Sequence, residues 1–400
     1  MIRVVLLGLV LTWGATAAQA TQLGLGVTDP LAVPVETALV GMPACTGGLS
    51  LGEVQTSALN GFGISVTAGA TLAANAQAMA ALDRAVNQWE SWIGDDITVN
   101  ISANMANLGS GPIIGLTLVV VLQGPYTLVR DAMVADASDE MDDAIVQSLP
   151  TLPVQFLLPA GFGLNGRLAG SKGNLKALGF AGLDVMFGAN DATLMFNSQY
   201  PFDYNNSDGV LPGTIDFETV VAHEIGHALG FISSVDVVDW LLHMSWDANV
   251  APTTLDMFRF WDDPNGNPST AGEFAAFPRL LAPGYEAITD QIDAFGGVPA
   301  EMPMSTGYYC GDGRQASHWK DDHYTGELIG VMDPTLGYGV VEPVTAADLR
   351  ALDLIGYEIT VPEPAAMVVL SLGGVTILLN RLRRRKETFV HPFGYGRRSS

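Results

Sequence analysis

Along this chain the spacing of apolar positions changes several times, and each change marks an element. In LAANAQAMAALDRAVNQWESW (72–92), Met79, Leu82, Ala85 and Trp89 recur at steps of three and four, which predicts a helix with one buried face. ITVNISANM (97–105) alternates and is rich in β-branched residues, so it predicts a strand. IIGLTLVVVLQG (113–124) predicts a second strand, its apolar run too short to span a membrane. YTLVRDAMVADASDEMDDAIVQSLP (126–150) predicts one or two acidic helices ending at Pro150, their carboxylates on a solvated face. LDVMFGANDATLMFNS (183–198) predicts two short strands around a Gly-Ala-Asn-Asp turn. TIDFETVVAHEIGHALGF (214–231) predicts a helix capped by Thr214 or Asp216 and ended by Gly230. Its core side is Phe217, Val221, Ile225 and Ala228, with Val220, His223 and His227 opposite, facing a cleft. This mixture of helices and strands, without an internal repeat, predicts an α+β fold.

Both ends of the chain follow different patterns. Residues 1–20, MIRVVLLGLVLTWGATAAQA, run from Arg3 through an apolar stretch to Ala-Gln-Ala, the order of an export signal cut after Ala20. A buried N-terminal strand or an uncleaved anchor is the alternative. Residues 21–60 are rich in Gly, Thr and Pro and read as a leader, a propeptide or loosely packed strands. Near the other end, an apolar stretch at 365–380 is followed by Arg381, Arg383, Arg384, Arg385 and Lys386. At ~1.5 Å per residue it is marginally short for a bilayer, and the basic cluster would stay on the cytoplasmic side.

Composition narrows the classes further. With 48 % hydrophobic and 15 % charged residues among 400, the chain is not of disordered type and is long enough for a large core. Ten of its Lys and Arg, but all except one of its 42 Asp and Glu, fall in residues 21–364, leaving that part at about −31. Such a field repels nucleic acid and anionic surfaces and suits an extracellular protein. The two cysteines, Cys45 and Cys310, would form one long-range disulfide in an oxidising compartment. The other reading makes Cys45 a thiolate that keeps a metal site latent.

The candidate chemistry lies in HEIGHALGFISS (223–234). Two histidines at i and i+4 on a helix point the same way, so His223 and His227 converge on one Zn2+ at ~2.0–2.1 Å. Glu224 is turned by about 100° and reaches a zinc-activated water instead of the metal, as the general base of peptide hydrolysis. A chance His-Glu-x-x-His is the bland alternative, but this one sits on an amphipathic helix after strands. A catalytic zinc needs a third protein ligand. Many enzymes with this start place a His or Asp six residues beyond the second histidine, where this chain has Ser233, and a neutral hydroxyl is a poor substitute. No Glu occurs from Ile225 to Gly272, which leaves Asp236, Asp239, His243, His318 and His323. His243, in WLLHMSW, reads as a packed helical residue, and His323, in the polar DDHY, as a solvated or supporting one. The stretches DYNNSDG (203–209) and DDPNGNPS (262–269) look like Ca2+ loops, although a plain Asx-turn is the simpler reading.

Downstream, Ser317-His318-Trp319, Glu327-Leu328 and Met332 follow HALGF in an order that resembles the leishmanolysin-like branch of the metzincin zinc proteases, over about residues 190–360. The resemblance implies that His318, 91 residues after His227, is the third zinc ligand and that Met332 forms a hydrophobic floor beneath the metal. It also implies that VTAADLRALDLIGYEI (344–359) is the helix bracing the site. Tyr338 is a weaker candidate for polarising the substrate oxygen. Val361-Pro362-Glu363-Pro364 before the apolar stretch resembles the PEP-CTERM sorting tail of exported Gram-negative bacterial proteins, which implies a processing protease as partner.

The expected organisation is therefore a signal (1–20), a leader (21–60), a metalloprotease domain (61–360), a sorting segment (361–386) and a tail (387–400). In the domain, a twisted sheet and the active-site helix would sit above a smaller helical and loop subdomain. The expected function is an exported zinc endopeptidase of the cell envelope or medium, acting on protein or peptide substrates. The alternative is a non-catalytic surface protein that binds zinc, glycans or partners.

Overall fold

The computed structural model describes residues 61–360, apart from 138–143, 152–153 and 295–296, together with the strand Arg3–Leu11. The segments 21–60, 361–386 and 387–400, and with them Cys45 and the apolar stretch 365–380, lie outside the described residues. Among the described residues no helix is long and apolar enough to cross a membrane.

The fold is α+β, built on a mixed sheet. Its strands are β1 (Arg3–Leu11), β2 (Gly63–Ala68), β3 (Thr98–Ala106), β4 (Ile113–Pro125), β5 (Arg167–Ser171), β6 (Ala192–Asn197) and β10 (Thr335–Gly337). The order is β10–β1–β4–β6–β3–β2, with β5 paired to the far end of β4. β2, β3 and β6 run parallel, and β4 runs antiparallel to β6. β3 alternates buried and half-buried positions along its whole length, as its sequence predicts.

β1 falls within the segment that reads as an export signal. In the full-length chain it lies parallel to β4 and antiparallel to β10, the alternative reading of those residues. Its run of Val and Leu suits an extended conformation, and it pairs with both strands.

The predicted N-terminal helix is α1 (Ala76–Glu90), capped by Asn75, whose side chain accepts from Ala78 N at 3.1 Å. Leu82, Ala85 and Trp89 are buried and Met79 is half-buried, so the predicted face is the buried one. The acidic segment forms α2 (Tyr126–Asp136) and a short turn of 3-10 helix at Val146–Ser148. Only half of the predicted strand pair at 183–198 forms. β6 is its second half, whereas Leu183–Phe187 is a short helix. Gly182 (φ 74°) starts that helix in a left-handed conformation, and Asp184 in its first turn pairs with Lys172 and Lys176 at 2.8 Å each. A long-range ion cluster thus overrides the β propensity of Val185 and Phe187.

The motif helix α3 (Phe217–Leu229) is capped by Asp216, which accepts from Thr219 N at 3.0 Å, and ends at Gly230 (φ 129°). It is buried all round, not amphipathic: only Glu218 is partly open. α1 covers one flank, and Trp89 Nε1 donates to Ala222 O (3.0 Å). β4 covers another, where a Cβ on Gly115 would lie 2.5 Å from Glu224 Oε1 and 3.0 Å from Val220 Cγ1. The chain continues into α4 (Val235–His243). A small antiparallel sheet follows, β7 (Arg259–Trp261), β8 (Ala287–Asp290) and β9 (Glu301–Met304). The last helix is α5 (Ala346–Leu354), opened by a capping box of Thr345 and Asp348.

Candidate metal centre

His223 and His227 project from one face of α3, and His318 reaches them from the loop between β9 and β10. The Nε2 atoms of His227 and His318 lie 3.1 Å and 3.2 Å from Nε2 of His223. All three side chains are buried. Each Nδ1 faces a backbone carbonyl: Val331 O at 2.7 Å for His223, Phe231 O at 2.8 Å for His227 and Gln315 O at 3.1 Å for His318. A carbonyl only accepts, so each ring carries its proton on Nδ1. Three Nε2 lone pairs then point at one another, which is unfavourable unless a cation lies among them. Nitrogens bound to one tetrahedral zinc at ~2.0–2.1 Å stand about 3.3 Å apart, so the spacing fits such an ion. Burial pushes the His227 pKa down to about 4 and those of His223 and His318 well below the usual imidazole range, the neighbouring rings adding to the effect on the latter two. At neutral pH the imidazoles are therefore uncharged, the form that ligates a metal.

Glu224 does not join the ring of nitrogens. Thr117, on β4, donates its hydroxyl to Glu224 Oε2 at 2.6 Å, and Oε1 is buried without a hydrogen-bond partner. Burial pushes the carboxyl pKa up to about 8, against the opposing Thr117 hydrogen bond. A cation beside the carboxyl would favour the carboxylate.

Met332 is fully buried against α3 at Gly226, where a Cβ would come within 2.3 Å of its sulfur. Its carbonyl accepts from Trp319 N at 3.0 Å. Asp348, on α5, binds the same region together: its carboxylate accepts from Trp319 Nε1 (2.8 Å), Val331 N (2.9 Å) and Met332 N (3.3 Å). α5 thus braces the loop that carries His318.

The other sequence candidates lie elsewhere. Asp236 accepts from Ala316 N at 2.6 Å and from both N and Oγ of Ser317. Asp239 accepts from Tyr309 N and Cys310 N at 2.7 Å each. Both carboxylates hold the loop before His318 and neither belongs to the histidine cluster. His243 is exposed and stacks on Tyr309 at 4.1 Å, so it is not packed inside its helix. His323 and Glu327 are exposed, and His323 lies against the Tyr324 ring. Tyr338 is 37 % exposed and lies near Tyr200. Cys310 is exposed, and its reading as a partner of Cys45 extends outside the described residues.

Neither acidic loop forms a cluster of three carboxylate or histidine ligands. Asp203 accepts from Asn205 N (2.9 Å) and Asp263 from Asn265 N (2.8 Å), both Asx-turns, and Asp203 also accepts from Leu211 N (2.8 Å) across its loop. A second group, Asp321, Asp322 and Asp333, is held internally. Arg314 Nε donates to Asp321 (2.6 Å), and Asp333 accepts from Asp322 N (2.8 Å) and Thr335 N (2.9 Å).

Sequence reasoning missed Thr117, Gly115, Gly226 and Asp348. Thr117 carried one signal, a hydroxyl within an apolar strand; the others become visible only once the elements pack. No protein-family model matches this chain, and neither a curated protein nor a solved structure does.

Proposed function

We propose that the protein is a zinc-dependent endopeptidase of metzincin type, similar to the leishmanolysin-like branch, exported and held at the cell envelope or released from it. The observation that carries this reading is the convergence of three buried, neutral Nε2 atoms, two of them from the helix that also carries Glu224. His223, His227 and His318 would hold the ion. Zinc bound there supplies Lewis acidity toward water and toward a peptide carbonyl. Glu224 takes the proton from the attacking water and passes it to the leaving amine. Thr117 fixes one oxygen of that carboxylate, leaving Oε1 for the proton. Met332 packs over Gly226, between the two helix histidines in sequence, and Trp319 packs on Phe231, so both fill the space around α3 with apolar side chains.

A non-catalytic zinc or glycan-binding surface protein is the competing reading. A purely structural zinc site has no use for a base beside its first ligand, and burying Glu224 costs stability, so its presence favours catalysis. Glu224→Gln should retain stoichiometric zinc and lose hydrolysis of denatured casein by several powers of ten. Cleavage at the wild-type rate would overturn the mechanism.

A further inference from the structure

Resting on the metal reading of the three histidines, we propose that Asp236 is the positioning residue for His318, acting through Ser317. His227 and His318 are separated by 91 residues of chain, whereas Asp236 follows His227 by only nine. Of the links that span this distance, those from Ser233 and Asp236 meet the loop directly before His318, at Ala316 and Ser317. Asp236 sits in the first turn of α4, directly beyond the end of α3. Its carboxylate accepts from Ala316 N (2.6 Å), Ser317 N (3.1 Å) and Ser317 Oγ. Ser317 Oγ in turn accepts from Ser233 N at 2.8 Å. Ser233 Oγ donates to Asp256 Oδ1 at 2.6 Å, and Asp256 also accepts from Ser234 N at 2.9 Å.

Ser233 stands where many related motifs carry the third ligand. Here that position supplies an N–H that holds Ser317, and the neighbouring residue His318 brings the imidazole. Two further bonds hold His318: its ring Nδ1 pairs with Gln315 O (3.1 Å), and its backbone carbonyl accepts from Ser305 N (3.1 Å). These join His318 to its own loop. Asp236 and Ser233 join that loop to the end of the helix carrying the other two ligands. An amide at 236 cannot replace the carboxylate: only its single oxygen accepts, while Ala316 and Ser317 present three donors between them.

The test uses the full-length protein stripped of metal by a chelator and titrated with Co2+, then with Zn2+ in competition with a chromogenic chelator. Asp236→Asn and Ser317→Ala should each weaken Zn2+ binding by about 10–100-fold. They should also reduce the intensity of the visible Co2+ band, as a looser, higher-coordinate ion requires. Ser317→Thr, which keeps the hydroxyl, should restore most of the loss. Melting of the metal-free variants should stay within a few degrees of wild type, whereas His318→Ala should abolish the band. Wild-type affinity and an unchanged band in Ser317→Ala would overturn the inference while leaving the metal site intact. So would metal-free destabilisation with full Zn2+ affinity. If Asp236→Asn does not fold, the two Ser317 variants decide. A wild type that binds neither ion overturns the metal reading and this inference with it.

Discussion

Glu224 is a carboxyl group fully enclosed between α3 and β4, with one hydroxyl donor and one unpartnered oxygen. Without metal, burial raises its pKa from 4.5 to about 8, so the folded chain holds this proton more tightly than the unfolded chain. The associated stability is fully present below pH 4.5 and is lost as pH rises through 8. The loss is on the order of 5 kcal/mol at pH 9. Glu224→Gln keeps the shape and the bond from Thr117 but never ionises. In EDTA the variant and wild type should melt together near pH 5, and the variant about 5–10 °C higher at pH 9. Equal melting temperatures at pH 9 would show that the carboxyl ionises without penalty in the metal-free protein. The three histidines act in the opposite sense: their lowered pKa values remove stability as pH falls below the ordinary imidazole range, and metal binding weakens over the same interval.

Between elements, the close approach of α3 to its neighbours depends on two glycines. Gly115 admits the helix beside β4, and Gly226 admits the Met332 thioether. Gly226→Ala would gain up to about 1 kcal/mol in helix propensity. It would also put a Cβ 2.3 Å from a buried sulfur, and overpacking of this kind costs about 1–3 kcal/mol. The second effect wins because Met332 is fully buried and its backbone N–H is held by Asp348. We expect Gly226→Ala to lower the melting temperature, and Gly226→Ala with Met332→Ala to be less destabilised than the sum of the two single variants. Additive effects would mean that the two residues do not touch. The same contacts explain which parts of the site were legible in the sequence. His223, Glu224 and His227 lie within a single helix and Asp216 and Gly230 cap it, so spacing alone fixes their relation. The position of His318 came through resemblance to a family, on Ser317, Trp319 and Met332. The contributions of Thr117, Asp236 and Asp348 depend on which strand or loop meets which helix, and no local pattern encodes that. For the same reason Asp236 and Asp239 read as ligand candidates: a carboxylate that holds backbone N–H groups has the same sequence signature as one that binds a metal. The helix at Leu183–Phe187 was also hidden, since Asp184 owes its partners to Lys172 and Lys176 on a different element.

At the scale of the whole molecule, charge and hydropathy divide the chain into three stretches. The acidic stretch from 21 to 364 lies between an Arg-led apolar start and an apolar run with a basic stop. We expect export to remove residues 1–20 and processing to remove the chain beyond about Pro364. The structure gives the first cut a measurable consequence, because Arg3–Leu11 pairs with β4 over Val5–Leu11 and with β10 over Arg3–Val5. Without them, the backbone groups of β4 that face β1 lose their partners, β4 becomes an open edge over that stretch, and β10 loses its strand partner. Intact-mass analysis of protein purified from the envelope or medium should give a chain starting at Thr21 and ending near Pro364. Hydrogen exchange should be faster over Ile113–Val120 in that form than in the full-length chain, with α3 equally protected in both. Peptides from residues 381–400 in the purified mature protein would identify the C-terminal stretch as a retained anchor. Equal exchange over Ile113–Val120 in the two forms would show that Arg3–Leu11 does not cover β4 in solution.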